Sequence, residues 1–176
     1  HTSEGIQAED ALKKRRESQK KRPLHLVLPQ GQLQVHTASY RGSFSVVLSE
    51  ALRSAGLGSR VLIAQFLKGG VNQGPKSGVN LCGSLEWIRP DISFCISNQT
   101  HNIKKSETNY AIKDIWNFCK NSILENTVDR IVLDEIGLAI SMGFLDKDDL
   151  ISTLNKRPSA MDLVLTGPSI PSQIIK

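Results

Sequence analysis

The stretch Ile131-Val-Leu-Asp-Glu135 decides how this chain is read. Two β-branched residues and a leucine run without a break into two carboxylates. An uninterrupted apolar run of this kind is the pattern of a strand buried on both faces, as in a parallel sheet covered by helices. The acids at its end then project into a cleft at the carboxyl edge of that sheet. Further on, Leu145 and Leu154-Asn-Lys-Arg-Pro158 continue the same unit.

Paired acids at a strand end are the chemistry of a Walker B element, where a carboxylate holds magnesium directly or through water. The alternative is that Glu135 merely opens the next helix, where a carboxylate favours the helix dipole. The usual partner of a Walker B strand is a Gly-Lys-Thr phosphate loop near the N-terminus. Its place is taken by Thr37-Ala-Ser-Tyr-Arg-Gly-Ser-Phe-Ser45, which has no lysine.

Outward from these two stretches, strand and helix patterns alternate. Leu24 to Leu28 and Leu33 to Thr37 are short extended runs separated by the turn residues Pro29-Gln30-Gly31. The spacing of Val46, Val47, Leu48, Ala51, Leu52 and Ala55 predicts a helix from Ser43 to Ala55, stopped by Gly56. Val61 to Leu67 reads as a buried strand closed by Lys68-Gly69-Gly70, and Val71 to Gly83 as a surface loop. Leu85 to Ile88 and Ile92 to Ile96 read as short strands around Pro90. A long helix is predicted over Glu107 to Glu125, a strand over Asp129 to Asp134, and a short helix over Glu135 to Met142. A helix capped by Asp146 runs through Leu154, and a last strand spans Met161 to Thr166. The fold class is therefore α/β, a three-layer arrangement with a mostly parallel sheet. Thr37, Lys68, Asp134 and Thr166 fall at strand ends, where such folds bind ligands.

Composition bounds the rest. A chain of 176 residues fits one domain able to bury roughly 70% of its unfolded surface. With 39% apolar and 22% charged residues it is ordinary for a globular protein, and no apolar run approaches the roughly 18 residues of a membrane span. Cys82, Cys95 and Cys119 lack disulfide or zinc spacing, so they read as reduced and mostly buried, and the protein as cytoplasmic. The net charge of +5 is concentrated in Lys13, Lys14, Arg15, Arg16, Lys20, Lys21 and Arg22. Residues 1–23 are thus a basic arm and residues 24–176 the α/β domain. The arm reads as a solvated helix or tail, or as the contact for a protein or other anionic partner. It has no aromatics for bases to stack on, which sets nucleic-acid binding last among the readings.

The order of motifs resembles the ATP:corrinoid adenosyltransferases of the P-loop class, over roughly Gln32 to Ile175. That family shows T-G-N-G-K-G-K-T-T, then Q-F-I-K-G, then V-V-L-D-E with L-N-x-R-P, then a strand ending in T-G. Here the later elements are Gln65-Phe-Leu-Lys-Gly69, Ile131 to Glu135 with Leu154 to Pro158, and Leu163-Val-Leu-Thr-Gly167. The resemblance implies a P-loop NTPase-like (RecA-like) fold, a homodimer, ATP and Mg2+ as cofactors and a corrinoid as substrate. In the family a Co(I) corrinoid attacks the 5′ carbon of ATP and tripolyphosphate departs.

Carried over residue by residue, the nucleotide loop is Thr37, Ala38, Ser39, Tyr40, Arg41, Gly42, Ser43, Phe44 and Ser45. Ser43 stands for the Walker lysine, and Phe44 and Ser45 for the hydroxyl ligands. Asp134, Glu135 and Ser45 are then the metal candidates, and Arg41 and Lys68 the catalytic cations. The G-F-T-W-type corrinoid segment falls near Ser97-Asn-Gln-Thr-His101, which keeps no aromatic. His101 reads as a solvated loop residue before a cobalt ligand; His36 and Trp116 read as packing residues. Two functions compete: transfer of the 5′-deoxyadenosyl group of ATP to a Co(I) corrinoid, or a catalytically inactive homologue that binds a nucleotide, a corrinoid or a protein.

Overall fold

The computed structural model describes residues 30–37, 44–70, 74–93, 96 and 105–175. These form β1 (Leu33–Thr37), α1 (Phe44–Gly56), β2 (Val61–Gln65), β3 (Val79–Leu81) and β4 (Leu85–Ile88). There follow α2 (Lys105–Leu124), β5 (Arg130–Asp134), α3 (Ile136–Ser141), α4 (Lys147–Asn155), β6 (Asp162–Gly167) and α5 (Ser172–Ile175). The basic arm, the Leu24 to Leu28 run and residues 38–43 lie outside the described residues.

The strands form one sheet in the order β1-β6-β5-β2-β4-β3, parallel throughout except for β3 against β4. From β1 the chain crosses through α1 to β2 in one direction, then returns through α2 and α4 to β5 and β6. Right-handed crossovers run in opposite directions place their helices on opposite faces. The core divides accordingly. Val61, Ile63, Val132 and Val164 pack with Val47, Ala51 and Ala55 of α1. Leu62, Ala64, Ile131, Leu133, Leu163 and Leu165 pack with α2 to α5 through residues such as Ile112, Ile115, Ala139, Leu150 and Ile174. The period-2 alternation along each strand thus sorts its side chains between two cores, and the three-layer α/β expectation holds. Among the described residues no helix is long and apolar enough to cross a membrane.

Local chemistry sets most element ends. The carboxylate of Asp146 accepts from the Asp148 N–H at 3.0 Å and opens α4. At the other end of α1, Ser59 N–H donates to Ser54 O and Gly58 N–H to Ala55 O, with Gly58 at φ 98°. That is a Schellman closure, so the stop is Gly58, two residues beyond the predicted Gly56.

Three other expectations change. Val79–Leu81, inside the predicted surface loop, is an edge strand joined to β4 by a turn with Cys82 and Gly83 at positive φ. Its residues are largely exposed, so it carries no alternating apolar signal. No strand begins at Ile92; it and Ile96 are buried, with the Ile96 N–H donating to Leu67 O. Apolarity there reflects burial of these two side chains in the core cluster that holds Ile112 and Ile115 of α2. Cys119 is buried as expected, but Cys82 is exposed in the hairpin turn.

Candidate functional site

Parallel pairing aligns strand ends. Gln65 of β2 lies opposite Asp134 of β5, and Thr37 of β1 opposite Gly167 of β6, with Leu133 opposite Leu165. By the alternation of strand side chains, Gln65, Asp134 and Thr166 share the α1 face with Ile63, Val132 and Val164. They sit where that core meets the carboxyl edge of the sheet. All are inaccessible: Gln65 1%, Asp134 2% and Thr166 1% exposed.

Buried polar groups need partners, and here they supply one another. Thr166 Oγ1 donates to Asp134 Oδ1 at 2.6 Å, and Gln65 Nε2 donates to Asp134 Oδ2 at 3.1 Å. Gln65 Oε1 in turn accepts from Trp87 Nε1 at 3.0 Å and Arg89 Nε at 2.9 Å. Two donors on Oε1 leave only one orientation for the Gln65 amide, with its NH2 turned to Asp134. Burial raises the Asp134 carboxyl above the ordinary range, and the neighbouring Glu135 charge adds to this. The bonds from Thr166 and Gln65 and the Lys68 charge pull in the other direction.

The aromatic pair beside this network is bracketed by cations. Phe44, at the head of α1, meets Trp87 with ring centroids 5.4 Å apart and planes at 47°. Lys68 Nζ lies 5.2 Å from the Phe44 centroid and Arg89 Cζ 5.0 Å from that of Trp87.

The backbone after Asp134 is tightly constrained. Glu135 is only 5% exposed and adopts the left-handed conformation, φ 61° and ψ 26°, with its N–H donating to Thr166 Oγ1 at 3.0 Å. A buried non-glycine residue in that region is a local strain held by its surroundings. Gly167, at φ 128°, passes so close that a Cβ there would lie 3.1 Å from Glu135 Cα.

The fold thus brings together Lys68, Phe44, Asp134, Glu135 and Thr166, with Thr37 exposed at the end of the edge strand and Ser45 exposed in the first turn of α1. Ala38, Ser39, Tyr40, Arg41, Gly42, Ser43 and His101 lie outside the described residues. Arg157 is not part of the site: its Nη1 donates to Leu154 O at 2.7 Å, closing α4 before β6 begins. Trp116 is a packing residue whose Nε1 donates to Asp149 Oδ2 at 2.8 Å. Gln65, Trp87 and Arg89 were assigned no part by the sequence, although a glutamine ending the apolar run Val61 to Ala64 is a usable signal.

Among the described residues, Asp134 and Phe44 do not fit a magnesium ion. Hard cations take oxygen ligands with free lone pairs and usually keep several waters. Asp134 is 2% exposed, with one oxygen accepting from Thr166 and the other from Gln65, so the carboxylate is not open to a hydrated ion, and Phe44 offers a ring and no oxygen. Among the described residues, no three or more His, Cys, Asp and Glu side chains converge as a metal-binding group.

Comparison with known proteins places the scaffold. The family model described as ATP:corrinoid adenosyltransferase BtuR/CobO/CobP matches residues 29–176. A corrinoid adenosyltransferase of Escherichia coli K12 is 24% identical over 142 residues, covering 81% of this chain and 70% of the relative. Corrinoid adenosyltransferase CobA of Salmonella typhimurium is 26% identical over 133 residues, covering 76% and 65%. An uncharacterized protein of Nostoc is 25% identical over 164 residues, covering 82% of this chain and 41% of that protein. The parallel sheet, the acid pair at the end of β5 and this match over residues 29–176 together show that the chain belongs to the ATP:corrinoid adenosyltransferase BtuR/CobO/CobP family.

Proposed function

We propose that this chain is a binding member of its family, whose strand-end cleft holds a nucleotide without transferring the adenosyl group to a corrinoid. One observation carries the reading: Phe44 stands at the head of α1, packed on Trp87 and under Lys68, while Thr166 and Gln65 engage both oxygens of Asp134. Adenosyl transfer expels tripolyphosphate, whose growing charge must meet preorganised cations and donors. Loss of one such donor lowers a rate about 10²- to 10³-fold. Here Ser43 replaces the loop lysine and Phe44 a hydroxyl.

The decisive assay combines ATP, chemically reduced cobalamin and the protein under anaerobic conditions, followed by absorbance. No adenosylcobalamin above the protein-free control is the expected result. Product growing with protein concentration would establish the catalytic reading instead, with Lys68 and Arg41 as the cations supporting it.

A further inference from the structure

We infer that the Lys68 ammonium is the resident cation of this cleft, taking the place of a divalent metal, so that nucleotide binding here is independent of magnesium. The inference rests on the nucleotide-binding reading above and names how that site is charged.

Lys68 follows β2 by three residues, so its ammonium emerges at the same sheet edge as Asp134. Its position is held by the face of Phe44, 5.2 Å from Nζ to the ring centroid. Phe44 is itself wedged against Trp87, and Trp87 is fixed by its bond to Gln65. The cation is thus pinned by a chain of contacts that ends on Asp134, through Gln65 Nε2. A ring contact occupies one side of the ammonium and leaves its outward protons as donors. The Lys68 charge also acts on Asp134. The features that spoil the site for magnesium are those that place a covalently attached cation: the ring at residue 44 and the donors on both Asp134 oxygens. Arg89, over the other aromatic face and bonded to Gln65, completes the bracket.

The test is calorimetric titration of the intact chain with ATP, once in excess Mg2+ and once in EDTA. Affinities agreeing within about 2-fold are expected, since no metal contact is lost. Lys68→Met should weaken ATP on the order of 10-fold in both buffers, the effect of losing one charged donor. Phe44→Leu, which keeps bulk but removes the π face, should weaken it a few-fold while circular dichroism stays native. ATP binding that requires Mg2+, no ATP binding in either buffer, or a folded Lys68→Met that binds like the parent would each overturn the inference. Two outcomes separate the proposals. Adenosylcobalamin formed in EDTA would end the noncatalytic reading and leave this one standing; Mg2+-dependent ATP binding without product would do the reverse.

Discussion

Thr166 Oγ1 lies 2.6 Å from Asp134 Oδ1, and the same hydroxyl accepts the N–H of Glu135 at 3.0 Å. One side chain thereby fixes the carboxylate at the end of β5 and the left-handed turn after it. Thr166→Val keeps shape but strands a buried carboxylate oxygen and a buried N–H. It should lower stability by about 2–4 kcal/mol, whereas Thr166→Ser should stay within about 1 kcal/mol. Urea denaturation of both variants checks the contrast, and a larger loss for Thr166→Ser than for Thr166→Val would show that the methyl rather than the hydroxyl matters.

Gln65→Glu tests the amide between Asp134 and Trp87. The new carboxylate can still accept from Trp87 and Arg89, but it faces Asp134 without a donor. Two buried acids sharing a site push a carboxyl pKa up in the folded state. The folded protein then holds protons that the unfolded chain has released, so stability falls as pH rises from the unfolded values through the raised folded one. Melting temperatures of variant and parent should therefore converge near pH 4 and separate toward pH 8. A pH-independent gap would remove the like-charge explanation.

Gly137 gives a prediction of opposite sign to helix propensity. In the first turn of a helix, Ala is ordinarily better than Gly by roughly 0.5–1 kcal/mol. Here a Cβ would lie 2.6 Å from Pro168 O and 2.7 Å from Ile170 N, both backbone atoms that cannot swing aside. Gly137→Ala should destabilise by about 1–3 kcal/mol, the range of overpacking. A stabilised variant in thermal melts would mean that the β6–α5 connection yields easily.

Asp149 joins α2 to α4. It accepts from Trp116 Nε1 at 2.8 Å and from Lys120 Nζ at 3.0 Å. The Trp116 bond is the main cause of its lowered carboxyl pKa. A lowered folded pKa contributes stability that is present above the unfolded value and lost as pH falls through the folded one. Asp149→Ala leaves the buried Trp116 N–H unpaired and should lower stability at neutral pH by about 1–3 kcal/mol. The difference from the parent should shrink in acid; a constant difference from pH 7 to 2 would refute the ionic share.

Much of the fold was legible because it is written locally. The Asp146 cap and the 3.6-residue stripes of α1 and α2 act within a turn or two of their own positions. The central strands announced themselves as apolar runs because helices cover both their faces. The short exposed edge strand at Val79–Leu81 and the buried loop at Ile92 escaped for the complementary reason, since burial there follows from position in the sheet. The candidate site was half legible: Asp134, Lys68 and Phe44 stood out through their motifs, whereas Gln65, though it opens the motif of Lys68, was given no role, and Trp87 and Arg89 lie in no motif.

The sequence alone determined the α/β class, the strand ends at which Thr37, Lys68, Asp134 and Thr166 fall, and the absence of a lysine from Thr37 to Ser45. Tertiary structure decided what the residues at those strand ends touch, Phe44 lying against Trp87 and under Lys68. Residues 44, 65, 68, 87, 89, 134 and 166 come from five separate elements and meet only because parallel pairing brings their strand ends into register. The length of a hydrogen bond between Thr166 and Asp134, or the seating of Lys68 on Phe44, depends on that register and on packing. Neither can be read from one segment, because the free energy of each contact belongs to a pair brought together by folding.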